Sequence, residues 1–169
     1  MEKRSNFGCF GGSNKGHETG SIIEIKHEGT LLKDLRFDLR TNNPDSIVFR
    51  INIYSVDNKV FTNILKDNIF VRLKKGETGE QIVDLTPYNI VVDSDILVTI
   101  EFLEIFISVS QSEYEKLDFP EQYKLGRVEI CDSHHYDQEK DFQRSSQGKW
   151  LMSDNKRVPN LGILLTVAY

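Results

Sequence analysis

The stretch from Val48 to Glu104 constrains the fold more than any other part of this sequence, because alternating segments follow one another between turn residues. Its first segment, residues 48–54, has the two-residue period of a β-strand that buries one face. The predicted inward side chains are Phe49, Ile51 and Ile53, and the predicted outward ones are Arg50, Asn52 and Tyr54. Several short strands at this spacing predict an all-β protein, a jelly-roll-like β-sandwich of two antiparallel sheets.

Segments on either side of this stretch extend the same pattern. Leu35, Phe37 and Leu39 alternate with charged residues and predict another strand with one apolar face. The longest apolar run, residues 96–109, predicts a central strand. Further strands are predicted over residues 20–25, 124–131 and 161–169, and a short helix or loop over residues 111–117 that ends at Pro120.

The chain divides into two parts by composition. Residues 1–17 are rich in glycine and polar residues and predict a flexible N-terminal arm, whereas residues 18–169 predict one β-sandwich domain. Within that domain, residues 132–147 predict a long polar excursion. Cys9 and Cys131 lie far apart in the sequence, and two cysteines make no disulfide framework. Separate thiols are therefore favoured, with a single bridge as the alternative.

The charge balance argues against one class of partner. The chain has 21 lysine and arginine residues against 26 aspartate and glutamate residues, a net charge of −5. Nucleic-acid binding requires a concentrated basic surface, which this sequence does not have. No secretory leader follows the basic start, and no run of about 18 apolar residues predicts a transmembrane segment. We therefore expect a cytoplasmic protein or a trimmed piece of an exported one.

The strongest candidate site in the sequence is the segment from Cys131 to Glu139, where His134 and His135 stand among carboxylates and a thiol. These are ligand types of zinc and related metals. Adjacent histidines diverge on a strand or a helix, however, and neither His-Glu-x-x-His nor Cys-x-x-Cys spacing is present. A solvated loop is the favoured interpretation, and the sequence predicts no metal and no other cofactor.

Two further ligand hypotheses depend on single residue types. Asp93 and Asp95 carry the oxygen ligands that calcium prefers, although their spacing is also ordinary turn composition. Aromatic faces that suit a sugar are offered by Tyr54, Tyr123, Tyr136, Trp150 and Tyr169, although packing is the favoured interpretation for the tryptophan. No Gly-x-Ser-x-Gly elbow is present and no catalytic residue is predicted. The candidate binding residues are therefore His134, His135, Tyr136 and Trp150.

Motifs spread over residues 18–167 carry a resemblance to a known family. They are Glu18-Thr19-Gly20-Ser21, Phe49–Val56, Asp67-Asn68-Ile69, Lys74-Lys75-Gly76, Val83–Val92 and Arg144–Trp150. In these motifs the chain resembles an uncharacterised β-sandwich module of bacterial cell-envelope proteins labelled carboxypeptidase-like regulatory-domain proteins. The resemblance implies a sandwich fold and a cell-envelope or secreted location. It implies no peptidase activity, because the matching motifs are structural.

Two functions follow as hypotheses. The first is a non-enzymatic accessory or binding module of the cell envelope that recognises a carbohydrate or protein partner. It predicts exposed aromatic side chains or a concave sheet face. The alternative is a metal-dependent hydrolase or metal-binding protein that uses His134 and His135. That alternative predicts side chains that converge within about 2–3 Å of one point.

Overall fold

Two antiparallel sheets pack face to face in a computed structural model of the chain, so the prediction of an all-β sandwich is confirmed. The structure describes residues 6–10, 15–131, 141–146, 148–152 and 162–169. Neither of the helices described below has the length and hydropathy of a membrane-spanning segment.

The described residues form short strands and two short helices. The strands are β1 (Asn6–Phe10), β2 (Glu18–Ile23), β3 (Thr30–Asn42), β4 (Ser46–Asp57), β5 (Val60–Asn63), β6 (Ile69–Lys74), β7 (Gly79–Asp84), β8 (Val91–Val92), β9 (Ile96–Phe106), β10 (Val128–Cys131), β11 (Asp141–Arg144), β12 (Leu151–Met152) and β13 (Leu164–Ala168). The helices are α1 (Gln111–Tyr114) and α2 (Phe119–Gly126), and a 3-10 turn spans Thr86–Tyr88.

The first sheet is organised around the long strand β3, and the second around the long strands β4 and β9. In the first sheet β3 pairs with β7, β8, β10 and β13, while β1 pairs with β10. The second sheet has the order β12-β11-β2-β9-β4-β5, and β6 also pairs with β4. Successive strands belong to different sheets at β1–β2, β2–β3, β3–β4, β6–β7, β8–β9, β9–β10, β10–β11 and β12–β13. The jelly-roll-like arrangement stays a prediction, which this alternation favours.

The main core fills the space between the sheets. The six side chains predicted to point inward, Leu35, Phe37, Leu39, Phe49, Ile51 and Ile53, are all almost completely buried there. Phe49 of β4 meets Phe37 of the opposite sheet edge to face, with 6.2 Å between ring centroids. The strict two-residue period therefore places these side chains correctly, because each strand has one face against the other sheet.

The second sheet curls on itself. Phe61 on β5 and Phe142 on β11 belong to strands near opposite ends of the sheet, yet their ring centroids lie 4.8 Å apart. In a flat sheet β2, β9 and β4 would separate them by about 19 Å, at roughly 4.8 Å per strand. The curl therefore gives this sheet a concave face, opposite to the one that packs on the main core.

The helical region differs from its prediction. Pro120 does not end a helix but stands in the first turn of α2, where proline lacks only a hydrogen bond that the helix start would not make. Asp118 caps this helix and forms a capping box with Glu121. Residues 124–126 are consequently helical, and the strand predicted over 124–131 covers only β10.

Two strands lie where the sequence predicted irregular chain. Residues 6–10, inside the predicted N-terminal arm, form β1 and pair with β10. β11 lies inside the predicted polar excursion and pairs with β2. The register places Cys131 opposite Asn6, with Cys9 three residues further along β1. Cys9 itself lies opposite Glu129, and the separate thiols stay a prediction.

Candidate functional site

Of the four candidate binding residues, one lies within the described residues. His134, His135 and Tyr136 fall outside them, so the solvated loop favoured for this segment and the metal site that is its alternative both stay predictions. Trp150 precedes β12, is partly buried and contacts the aromatic rings of Tyr54 and Phe61. Its ring is therefore part of a packed cluster, as the sequence favoured.

A row of charged side chains crosses the concave face of the curled sheet. The strand registers pair Arg144 on β11 with Glu18 on β2, Glu18 with Glu101 on β9, and Glu101 with Arg50 on β4. Residues directly opposite on neighbouring strands have their side chains on the same face. We call these four residues the charged row. Its order is cation, anion, anion, cation, so the two carboxylates lie between two guanidinium groups.

Glu18 is the centre of the hydrogen bonding, and only 1% of the residue is exposed. Its Oε1 accepts hydrogen bonds from Asn52 Nδ2 at 2.9 Å, Tyr54 OH at 2.7 Å and Thr99 Oγ1. Its Oε2 accepts from Arg144 Nε at 2.7 Å and Nη2 at 2.6 Å. A buried carboxylate requires this number of partners, because an unpaired buried charge costs several kcal/mol.

Glu101 repeats this arrangement with the other arginine. Its Oε2 accepts from Arg50 Nε at 2.8 Å and Nη2 at 2.6 Å. Asn52 Nδ2 donates to the same oxygen at 3.1 Å and so bridges the two carboxylates. The amide oxygen of Asn52 in turn accepts from Asn63 on β5 at 3.3 Å. The two halves of the charged row therefore form one connected network.

Gly20 allows β2 to lie close to β9. A Cβ atom on Gly20 would lie 1.9 Å from the carbonyl oxygen of Val98 and 2.6 Å from the Cα of Thr99. No side chain fits so close to the neighbouring backbone, and the strands would have to separate. Gly20 pairs with Thr99, whose hydroxyl donates to Glu18. The glycine thus keeps β2 and β9 at the separation that this hydrogen bond requires.

Beside the charged row, the concave face carries a cluster of mostly aromatic side chains. Tyr54, Leu97 and Phe142 are buried in a second cluster, against which Phe61 and Trp150 pack. Burial, followed by the negative charge of Glu18, raises the pKa of Tyr54, so the phenol stays protonated and donates to the carboxylate. The guanidinium of Arg144 lies 4.4 Å from the Trp150 ring centroid, a cation–π contact. The indole therefore helps to fix the orientation of Arg144.

Chemically, the charged row presents hydrogen-bond donors to a ligand. The side chains of Arg144 and Arg50 are each 33% exposed, whereas those of Glu18 and Glu101 are 1% and 11% exposed. Among the described residues, the Nη1 atoms of Arg144 and Arg50 have no hydrogen-bond partner. Neither Nη1 atom is buried, so both can contact solvent. Each guanidinium is thus fixed by its carboxylate and keeps one nitrogen for solvent or a ligand.

The remaining candidate sites in the described residues are the turn aspartates and two surface clefts. Asp93 and Asp95 accept hydrogen bonds from the backbone N–H groups of Gly29 and Ile25, so these carboxylates attach the turn before β9 to the chain between β2 and β3. No group of three or more potential metal-ligating side chains occurs in this part of the chain. A cleft of about 350 Å³ lies between residues 64–67 and 88–91, and one of about 430 Å³ lies beside α2.

The alternation in β4 predicts Arg50 and Asn52 on an outward face but carries no signal that this face is buried. Arg144 lies in the predicted polar excursion. The segment that forms β11 has one apolar residue, Phe142, so no alternation marks it as a strand. Glu18 and Arg144 are 126 residues apart, so no local pattern joins them.

Comparison with known proteins does not assign a family. No protein-family model matches the chain, and no curated protein matches it. Among solved structures, the chain is similar to the crystal structure of the cysteine protease and lectin-like domains of Cwp84, a surface layer associated protein of Clostridium difficile, with 8% identity and a TM-score of 0.46. The match covers 91% of this chain and 31% of that one. At this TM-score the likeness supports no conclusion about this chain.

Proposed function

We propose that this protein is a non-enzymatic binding module whose ligand contacts the charged end of the concave face. The observation that carries the proposal is the fixed position of Arg144. Two of its nitrogens bond to the buried Glu18, the Trp150 ring lies against its guanidinium, and a third of its side chain remains exposed. A side chain held in this way needs little further ordering when a ligand binds, which favours affinity.

The chemistry of the network favours binding over catalysis. General acid–base catalysis needs a side chain that exchanges a proton with the substrate. Both oxygens of Glu18 already accept hydrogen bonds, three on Oε1 and two on Oε2. Tyr54, whose pKa is raised, already donates its proton to Glu18. The groups that remain available are guanidinium donors, which hold a ligand but do not exchange protons near neutral pH.

The cost of the network also favours a functional role. Replacing buried ion pairs by well-packed apolar side chains is often neutral or stabilising, so such networks are weak evidence for stability. The partner we propose is a carbohydrate or a protein surface, since both offer acceptors for the guanidinium groups and apolar area for the neighbouring rings. From the family resemblance in its motifs we also propose a location at the cell envelope.

Binding to envelope material tests this function directly. The full chain is mixed with purified peptidoglycan sacculi and, separately, with insoluble neutral polysaccharides, and the sedimented fraction is measured. Melting temperatures with soluble oligosaccharides and candidate envelope proteins provide the second measurement, because a ligand that binds the folded state raises them. We expect retention of the chain or a raised melting temperature with at least one of these probes.

Arg144→Lys keeps a positive charge but cannot make the same forked contact, so it is expected to weaken retention about tenfold. Arg40→Lys, an exposed arginine on the other sheet, is the matched control. Equal retention of both variants, or release of cleaved products from a probe, would contradict the proposal. Stoichiometric zinc that is lost in a His134→Ala, His135→Ala variant would instead support the metal-dependent alternative.

A further inference from the structure

The charged row continues to an exposed aromatic side chain. Arg50 on β4 pairs with Phe70 on β6, so Phe70 lies next to Arg50 on the same side of the sheet. The ring is 47% exposed. The row thus reaches from Arg144, with Trp150 against it, to an aromatic side chain at the opposite end.

The guanidinium groups of Arg144 and Arg50 make the same contacts with their carboxylates but lie on different strands. Each donates Nε and Nη2 to a carboxylate and keeps Nη1 at the surface. Between β11 and β4 lie three strand spacings, which is about 14 Å in a flat sheet and less on the inside of a curled one. A ligand that contacts both must be extended, which suits an oligosaccharide better than a single sugar.

The charge balance of the row indicates the charge of its ligand. Two arginines and two glutamates sum to zero, and each positive group lies against a negative one. The whole chain carries a net charge of −5. Neither the row nor the protein as a whole therefore attracts a polyanion over long distances. The accessible donors instead fit neutral acceptors such as hydroxyl and ring oxygens.

We propose that the charged row binds a neutral oligosaccharide, whose oxygens accept hydrogen bonds from Nη1 of Arg144 and of Arg50 while one sugar face packs on Phe70. The inference rests on the proposed function and names the ligand class for the same face. Glu18 and Glu101 orient the two arginines and do not touch the ligand. An acidic oligosaccharide and an acidic peptide are the competing ligands that the experiment separates.

Trp150 provides a specific probe, because it is the chain's single tryptophan and lies 4.4 Å from the guanidinium of Arg144. The full chain is titrated with linear neutral gluco- and manno-oligosaccharides, with oligogalacturonate and with an oligoglutamate peptide, while tryptophan emission is recorded. We expect a saturable emission change with at least one neutral oligosaccharide. Its affinity is expected to stay constant between about 0.05 M and about 0.5 M salt, because no net charge is neutralised.

Variants at the far end of the row test its extent. Arg50→Lys and Phe70→Ala, which do not touch the tryptophan, are each expected to weaken the neutral ligand about 5- to 20-fold. Phe106→Ala, at a ring of similar exposure (52%), is the matched control and is expected to leave the affinity unchanged. Melting temperatures show whether each variant is folded.

The possible negative results distinguish failure of the oligosaccharide inference from failure of the proposed binding function. Binding of only the acidic probes, with affinity that falls as salt rises, overturns the inference, as does equal affinity in Arg50→Lys, Phe70→Ala and the parent chain. Retention on sacculi or on a protein without a response from Trp150 overturns the inference but leaves the proposed function standing. Binding to none of these probes, and to none of the sacculi, polysaccharides and envelope proteins of the first experiment, overturns both.

Discussion

The two faces of the curled sheet are buried by different means. The face toward the other sheet holds apolar side chains such as Phe49, Ile51 and Phe102, each 0% exposed. The concave face, formed by alternate residues of the same strands, holds Asn52 and Thr99, which are almost equally buried. Apolar packing is non-directional, whereas buried polar groups are stable only with specific partners. Burial of the first face therefore requires only apolar side chains, whereas burial of the concave face requires a specific partner for each polar group.

This difference predicts different responses to mutation. The apolar face should tolerate exchanges that conserve volume, because it needs only a filled space. The concave face should tolerate the loss of single partners poorly, since each loss leaves a buried donor or charge without a partner. Four measurements test the sensitivity of the concave face, beginning with the largest expected effect.

Glu18→Ala is expected to destabilise the protein by about 3–5 kcal/mol. The substitution removes the acceptor of Asn52, Tyr54 and Thr99 and leaves Arg144 without its carboxylate. Urea unfolding followed by circular dichroism measures the loss. Glu80→Ala, whose side chain is 54% exposed, is the control and should change stability by less than about 0.5 kcal/mol.

The double variant Glu18→Leu, Arg144→Met sharpens the same comparison. It removes both charges together, so it is expected to recover part of the stability lost in Glu18→Ala, although Tyr54 and Thr99 still lack their acceptor. An unchanged urea midpoint in Glu18→Ala would show that the network contributes nothing to stability, and the contrast between the faces would fail.

Gly20→Ala is expected to cost about 2–3 kcal/mol, because its new methyl group would collide with the backbone of Val98 and Thr99. Gly126→Ala is the matched control, since the nearest atom to its Cβ position is Ile105 Cδ1 at 3.6 Å. Thermal unfolding compares the two variants. A Gly20→Ala protein as stable as Gly126→Ala would mean that β2 and β9 separate without penalty.

Phe61→Ala tests whether the aromatic cluster closes the curl. Phe61 contacts Phe142 and Trp150 at 4.8 and 5.3 Å between ring centroids. Loss of this partly buried ring is expected to cost about 1–2 kcal/mol and to expose Trp150 to water. A red shift of tryptophan emission would report that exposure. Phe106→Ala is expected to change neither quantity, and an unshifted emission in Phe61→Ala would contradict the closure.

Tyr54 gives the smallest effect, in the alkaline range. Because burial raises its pKa in the folded state above the ordinary value of 10.0, its contribution to stability is complete below that value and declines as pH rises above it. Between pH of about 10 and about 11 the loss is about 1 kcal/mol. Urea unfolding at several pH values measures it.

In Tyr54→Phe this part of the decline should be absent, whereas Tyr169→Phe, at a tyrosine that is 79% exposed, should keep it. Identical pH dependence in the parent chain and in Tyr54→Phe would show that Tyr54 ionises as easily in the folded as in the unfolded state.

Much of the fold was readable from local patterns. The alternation around Phe37 and Ile51 predicted which side chains point into the core, because a strand against a sheet needs only a two-residue period. Pro120 was misjudged because proline ends a helix in the interior but is favoured in the first turn. β1 and β11 were missed because their sequences are short and partly polar, and their pairing partners, β10 and β2, are distant in the chain.

The candidate site was less predictable. Trp150 was singled out as an aromatic residue and lies at the site, but its contact with Arg144 has no signature in the sequence. Arg50 and Asn52 carried the polar pattern of a solvent-exposed face. Polar residues on one face indicate solvent exposure in a flat sheet with water on that side. In a sheet that curls over its own face, the same residues are buried.

The order of residues along the chain thus specifies the strands, their inward faces and the sandwich class, because these depend on neighbours within a few positions. The burial of the second face was decided by the tertiary structure alone. It depends on Phe61 meeting Phe142 across the sheet and on Gly20 allowing β2 close to β9. Charged side chains on such a face become a connected network only when the curl excludes water and leaves each of them its partner.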